Sequence, residues 1–222
     1  MKLSDWLVIP EILPLMLSGL RVTVIITFFS VLTGLLIGTI VGLARLSHNR
    51  LLRGLTTAYV EVIRGTPLMV QLFLVYFALP EVGINLPPMV AGWVAYSINS
   101  GAYVSEVVRG GIQSVDKGQM EAARSVGMSW WQAMRYVVLP QAFRNIMPSL
   151  GNEFIMLLKD SSLMATIAVP EVMRFANMMV GRKGGYALPI YVTAGLLYLG
   201  LTLPLSLIVR RAERGLAKGD RA

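Results

Sequence analysis

From Val22 to Ala44 the chain carries no charged residue, and this apolar run is long enough to cross a lipid bilayer as one helix. A crossing helix needs about 20 mostly apolar residues, because no water is present and every backbone N–H and C=O must be satisfied within the helix. Leu86 to Ser105 and Leu188 to Val209 pass the same test without a charge. Leu55 to Leu79 carries Glu61 and Arg64 early and is apolar afterwards. Asn145 to Leu158 is short and holds Glu153, so it predicts a span only if it begins near Gln141, with Arg144 reaching back to the interface. The pattern predicts an all-α membrane protein of five transmembrane helices, over about 15–45, 55–80, 86–108, 141–159 and 188–210, in one domain covering residues 1–222.

Composition agrees, with 55% hydrophobic and 14% charged residues. The mean hydropathy of +0.64 is more than a soluble domain of this length could hide in one core. The net charge of +8 raises nucleic acid as a partner, but in a chain with long apolar spans Lys and Arg mark cytoplasmic loops and anionic headgroups. Nucleic acid is therefore excluded, and membrane lipid takes its place. With five spans and the N-terminus outside, fourteen of the twenty basic residues, among them Arg210, Arg211, Lys218 and Arg221, fall inside with the C-terminus. Lys2, Arg21, Lys159, Arg174, Arg182 and Lys183 fall outside. A sixth span within residues 161–186 would carry the Arg-rich tail outside, so that stretch is expected to be an external, partly amphipathic lid, broken at Pro170 and at Gly181 to Gly185. The N-terminus has acidic residues and a proline before its apolar run, which argues against a removable signal peptide.

Against this background Gly118 to Pro140 is conspicuously polar and charged, and the parity above puts it in the cytoplasm. Asp116 can cap a short helix, and Gly127 ends it at a position free to turn left-handed. Ser129 and Gln132 form a capping-box pattern for a second short helix carrying Trp130, Trp131 and Met134, with Pro140 at the junction to the next span. The residues alone leave two readings open: an interfacial helix among headgroups, or a surface that another protein grips.

The stretch from Glu121 to Gly127 followed by Val137 to Pro140 resembles the cytoplasmic EAA motif of permease subunits in bacterial ATP-binding-cassette (ABC) importers. Glu121, Ala122, Ala123, Gly127, Val137, Leu139 and Pro140 fit the pattern, with Val137 where isoleucine is usual. Val60 to Phe73 and Leu157 to Leu163 look like the polar-amino-acid branch of those importers, close to arginine-type permeases, and the likeness runs from about Leu15 to Arg214. It implies a type I ABC importer permease fold in the bacterial cytoplasmic (inner) membrane. It also implies a coupling helix at about 117–127, in which Glu121, Ala122, Ala123 and Gly127 engage an ATPase subunit. The implied partners are a second copy of the chain or a close paralogue, two ATPase subunits, an external solute-binding protein and an amino-acid substrate. No phosphate-binding GxxxxGK[ST] loop occurs in the chain, so no cofactor is expected here, with ATP and Mg residing on the partner.

Ionisable and polar residues at membrane depth supply the remaining candidates. Glu61 with Arg64, and Glu106 with Arg109, are spaced to pair locally near the cytoplasmic ends of their spans. Arg64, Gly65 and Pro67 mark a kink that can act as a hinge or gate. Glu153 and Asp160 lie two helical turns apart on one stripe with Met156 and Leu157. That stripe either favours a cationic amino acid such as arginine, lysine or histidine, with Lys159, Ser161 and Ser162 meeting its carboxylate, or is neutralised by Lys159 and a neighbouring span. Ser97, Asn99 and Ser100 either bond helices together or line the path, and Asn99 is assigned to the path. Gly34, Gly38 and Gly42 have the spacing of a close helix contact.

The alternative function is an ion-coupled secondary amino-acid transporter using Glu153 or Asp160 as proton or ion sites. A membrane enzyme is disfavoured: the chain has no cysteine, its single histidine, His48, lies in a basic turn, and no nucleophile, base and orienting group come together.

Overall fold

A computed structural model describes residues 3–218; Lys2 and Arg221, which enter the charge balance, lie outside the described residues. Among the described residues every regular element is helical. The longest helix, α1 (Ile9–Arg45), starts with Pro10 in its first turn, where the missing N–H does no harm. Its 37 residues extend about 55 Å. Its second half lies along α4 (Pro88–Gln113), with Gly34 beside Ser100, Gly38 beside Val104 and Gly42 beside Ser105 and Val108, so the two helices run parallel. A Cβ at Gly38 would sit 2.5 Å from the Val104 Cβ, which is why the four-residue glycine repeat is needed.

Antiparallel to α4 runs α7 (Leu139–Asp160), in register with Gly111 against Ile146 and Tyr96 donating to the Asp160 carbonyl at 2.5 Å. Val104, Val108, Ile112, Val138, Ala142 and Ile146 form the core between them. Then α9 (Ala187–Lys218) returns along α7, with Val209 against Gly151. The described ends of the chain consequently lie at opposite ends of the bundle.

Three expectations are refined. The segment over 55–80 is broken more sharply than a kink: α2 (Arg50–Arg64) and the helical stretch Leu68–Val82, which begins with α3 (Leu68–Phe73), meet at 102°. Pro67 has no N–H to continue α2 and pushes Thr66 out of helical geometry, so the chain turns rather than bends. The span expected over 141–159 begins earlier, because the short helix α6 (Trp130–Ala133) passes through a π-helical turn, Met134–Val138, directly into α7. Pro140 follows directly on that π-helical turn and does not break the run. The segment over 161–186 packs on the bundle. Its 3-10 stretch Ser161–Ile167 buries Met164 and Ile167 in the bundle, and α8 (Val172–Arg182) buries Val172, Ala176 and Met179 against Ile12, Met16 and Ile190. The expected breaks at Pro170 and at the glycine-rich turn are present.

Two helices, Trp6–Arg45 and Ala187–Gly215, are by themselves long and apolar enough to cross a membrane, and bent pairs raise the number to four. The 26-residue α4 is long enough, but Ser97, Asn99, Ser100 and Ser105 dilute its apolar character.

Candidate functional site

The right-angle break between α2 and α3 borders a cavity of about 300 Å³ that is open on the side where Arg64, Gly65, Thr66 and Pro67 are exposed. The break supplies Arg64, Gly65, Thr66, Pro67 and Leu68; α4 supplies Asn99 and Tyr103, one helical turn apart; α7 supplies Glu153, Met156, Leu157 and Asp160. The volume suits one amino acid, at the small end of the range for ligand pockets.

Gln71 holds the break in shape. Its Nε2 donates to the Ile63 carbonyl at 2.7 Å, the Thr66 carbonyl at 3.0 Å and the Thr66 Oγ1 at 2.9 Å, and its Oε1 accepts from the Asn99 Nδ2 at 3.0 Å. Carbonyls freed where the helix is interrupted are thereby satisfied at membrane depth. The same side chain fixes Asn99 at the cavity edge. Arg64 lies with its guanidinium 5.3 Å from the centre of the Tyr103 ring, a cation–π contact that holds it at the rim.

The expected groups therefore sort into two sets. Asn99, Glu153, Met156 and Asp160 meet in the cavity, joined by the hinge residues Arg64, Gly65 and Pro67. Ser97, Lys159 and Ser161 do not line it. Ser97 is buried within the bundle. The Ser161 hydroxyl is buried and donates to the Leu158 carbonyl at 2.6 Å. Lys159 is exposed and lines a separate hollow with Ser162, Met173 and Tyr198, because one residue along a helix turns the side chain by about 100°. Arg64 is the one cation among the residues lining the cavity, Lys159 lies beside Asp160 outside that lining, and no ion pair joins Arg64 to Glu61 among the described residues. Tyr103, Thr66, Leu68 and Gln71 were not singled out for the site from sequence. Gln71 had a signal, as the one polar residue in Leu-Met-Val-Gln-Leu-Phe, and Tyr103 had another, four residues after Asn99.

At the far end of the bundle Glu106 pairs with Arg109 at 2.6 Å, as its spacing suggests, and also with Arg45 of α1. Here α5 (Lys117–Ser125) crosses the surface, its N-terminus capped by Asp116, whose Oδ1 accepts from the Gly118 N–H at 2.6 Å. Gly127 follows at φ +88°, a left-handed conformation that β-carbon-bearing residues rarely adopt. Ser129 and Gln132 close the expected capping box. Glu121 and Ala122 are exposed, whereas Ala123 is buried at 5% exposure and packs toward the body of the protein. The exposed residues of α5 thus combine the Glu121 carboxylate and the small Ala122 with Lys117, Gln119 and Arg124.

The family described as "Binding-protein-dependent transport system inner membrane component" matches residues 34–218. The glutamine transport system permease protein GlnP of Escherichia coli (strain K12) is 39% identical over 213 residues, covering 95% of this chain and 96% of that protein. The arginine transport system permease protein ArtQ of Bacillus subtilis (strain 168) is 40% identical over 221 residues, covering 99% and 100%. The chain belongs to the permease subunits of amino-acid ABC importers. A solved amino acid ABC transporter with histidines superposes on the permease with a TM-score of 0.91 at 43% identity, over 96% of this chain and 99% of that one. The permease is an inner-membrane transport component rather than an enzyme, and its family implies ATPase and binding-protein partners. An ATPase as the source of energy removes the need for Glu153 or Asp160 to couple an ion, so the secondary-transporter alternative falls away.

Proposed function

We propose that the permease carries cationic amino acids, arginine, lysine or histidine, through the cavity between the α2–α3 break, α4 and α7. The observation that carries this reading is the cavity's charge: Glu153 and Asp160 on one wall against the single guanidinium of Arg64 on the other. A zwitterion with a cationic side chain has one carboxylate and two positive groups, which matches one arginine and two carboxylates. A neutral amino acid would leave one buried carboxylate without a partner. The mode of binding is the Arg64 guanidinium on the substrate carboxylate, with Glu153 and Asp160 on the amino and side-chain cations and Asn99 as a hydrogen-bonding edge. The relative ArtQ and the solved transporter with histidines support the cationic class, while GlnP shows that similar chains serve glutamine, so the decision rests on the cavity.

In this reading α1, the α2–α3 pair, α4, α7 and α9 are five crossings, with the N-terminus outside and α5 and the C-terminus in the cytoplasm. Two copies face each other, each engaging an ATPase subunit through Glu121 and Ala122 on α5, with Gly127 setting the turn that orients it. ATP binding and hydrolysis on the partner move α5, and with it α7, to which it is joined by the Gln141–Gln119 hydrogen bond at 3.3 Å.

The test is uptake by proteoliposomes holding the permease, its ATPase and its binding protein, across arginine, lysine, histidine and glutamine. ATP-dependent uptake of the three cationic amino acids, at least about tenfold above glutamine, is expected. Glutamine carried as fast as arginine would overturn the cationic assignment.

A further inference from the structure

Below the first cavity, toward α5, lies a second hollow of about 390 Å³ along the same two helices, open to the surface at Gly110, Ser114 and Asn145. Its lining includes Glu106, Gly110 and Ser114 from α4 with Asn145 and Ser149 from α7. Helical spacing joins the two cavities. On α4, Asn99 and Tyr103 lead to Glu106, Gly110 and Ser114 in steps of three and four. On α7, Asp160 and Glu153 lead to Ser149 and Asn145 in steps of seven and four, so both sets occupy one side of their helices.

We propose that this second cavity is the release-side station for the transported amino acid, a low-affinity stretch crossed after the substrate leaves Glu153 and Asp160. The proposal rests on the first cavity being the substrate site. The chemistry of the lining differs in the way release requires. Its only carboxylate, Glu106, is already held by Arg45 and Arg109, and Arg109 also donates to Gln113, so the cluster offers an arriving cation an excess of positive charge. What remains is two hydroxyls and an amide, which bind an amino acid no better than water does. Gly110 is exposed on the open side of the hollow, and a Cβ there would meet nothing within 4 Å. The lower end is crossed by the hydrogen bond from Asn145 Nδ2 to Ser114 Oγ at 2.8 Å, which ties α7 to α4 just before α5. A substrate moving on must part that bond, and the shift of α7 driven from α5 would do so.

The chain has no cysteine, so Gly110→Cys gives it one reactive thiol that can be blocked after the complex has folded and assembled. Labelling with a bulky maleimide should lower arginine uptake by at least about tenfold while arginine binding to the complex stays within about twofold. Gly200→Cys on α9, where a Cβ likewise meets nothing within 4 Å, should tolerate the label with uptake unchanged. Full labelling at position 110 with undiminished uptake would overturn the proposal, and so would loss of arginine binding along with uptake. If Glu153→Gln leaves uptake intact while labelled Gly110→Cys blocks it, position 110 lies on the path but the substrate-site reading falls, and the release-side assignment with it.

Discussion

Gly38→Leu is expected to prevent the permease from accumulating as a folded protein. The Cβ it adds would lie 2.5 Å from the Val104 Cβ and 2.8 Å from the Gly101 carbonyl oxygen. Backbone cannot swing aside as a long side chain can, so α1 and α4 must separate along the contact that Gly34, Gly38 and Gly42 share. Overpacking of this kind destabilises by about 3 kcal/mol or more, and here it also opens the wall against which α4 holds Asn99 and Tyr103 in place. Thermal unfolding in detergent, with the monodisperse fraction on gel filtration, measures it. Gly200→Leu, made where there is room, is the matched control and should behave as the parent does. Parent-like stability of Gly38→Leu would mean that the close α1–α4 contact does not hold the bundle together.

The second large effect is expected at Gln71. Leucine has nearly its shape but removes every donation into the α2–α3 break and the acceptor for Asn99. Each polar group left unpaired in a buried setting destabilises by about 1–3 kcal/mol, and the strain falls where Arg64 and Asn99 are positioned. Because α1, α4 and α7 pack without Gln71, the protein should still reach the membrane. Arginine uptake should nevertheless fall by at least about tenfold, with binding weakened in parallel, since the missing bonds shape the site rather than the drive from ATP. Parent-like uptake by Gln71→Leu would show that the break is held by other means.

What could be read from the sequence was whatever a single helix settles by itself. The glycine repeat, the Glu153–Asp160 stripe, the capping box and the left-handed Gly127 each depend on residues a few positions apart, and each has the expected local geometry. The presence of Arg64 in the same cavity lining as those carboxylates was not legible, because it depends on a 102° turn whose angle a proline permits but does not specify. Lys159 and Ser161 fall outside the cavity lining for the opposite reason. They are near Asp160 in sequence, but one residue of rotation carries Lys159 to another face, and tightening into a 3-10 turn draws the Ser161 hydroxyl onto the backbone. The charges of the segment over 161–186 suggested a surface, but how closely it packs is decided by its apolar residues, Met164, Ile167, Val172 and Ala176.

The central claim, that two carboxylates in the cavity at the α2–α3 break select a cationic amino acid, is tested most directly by equilibrium binding. Arginine and glutamine would be titrated into the purified permease–ATPase complex without binding protein, for the parent and for Glu153→Gln combined with Asp160→Asn. Arginine affinity in the double variant should fall by at least about tenfold relative to the parent, with no comparable loss for glutamine. Arginine binding as tight as in the parent would contradict the account.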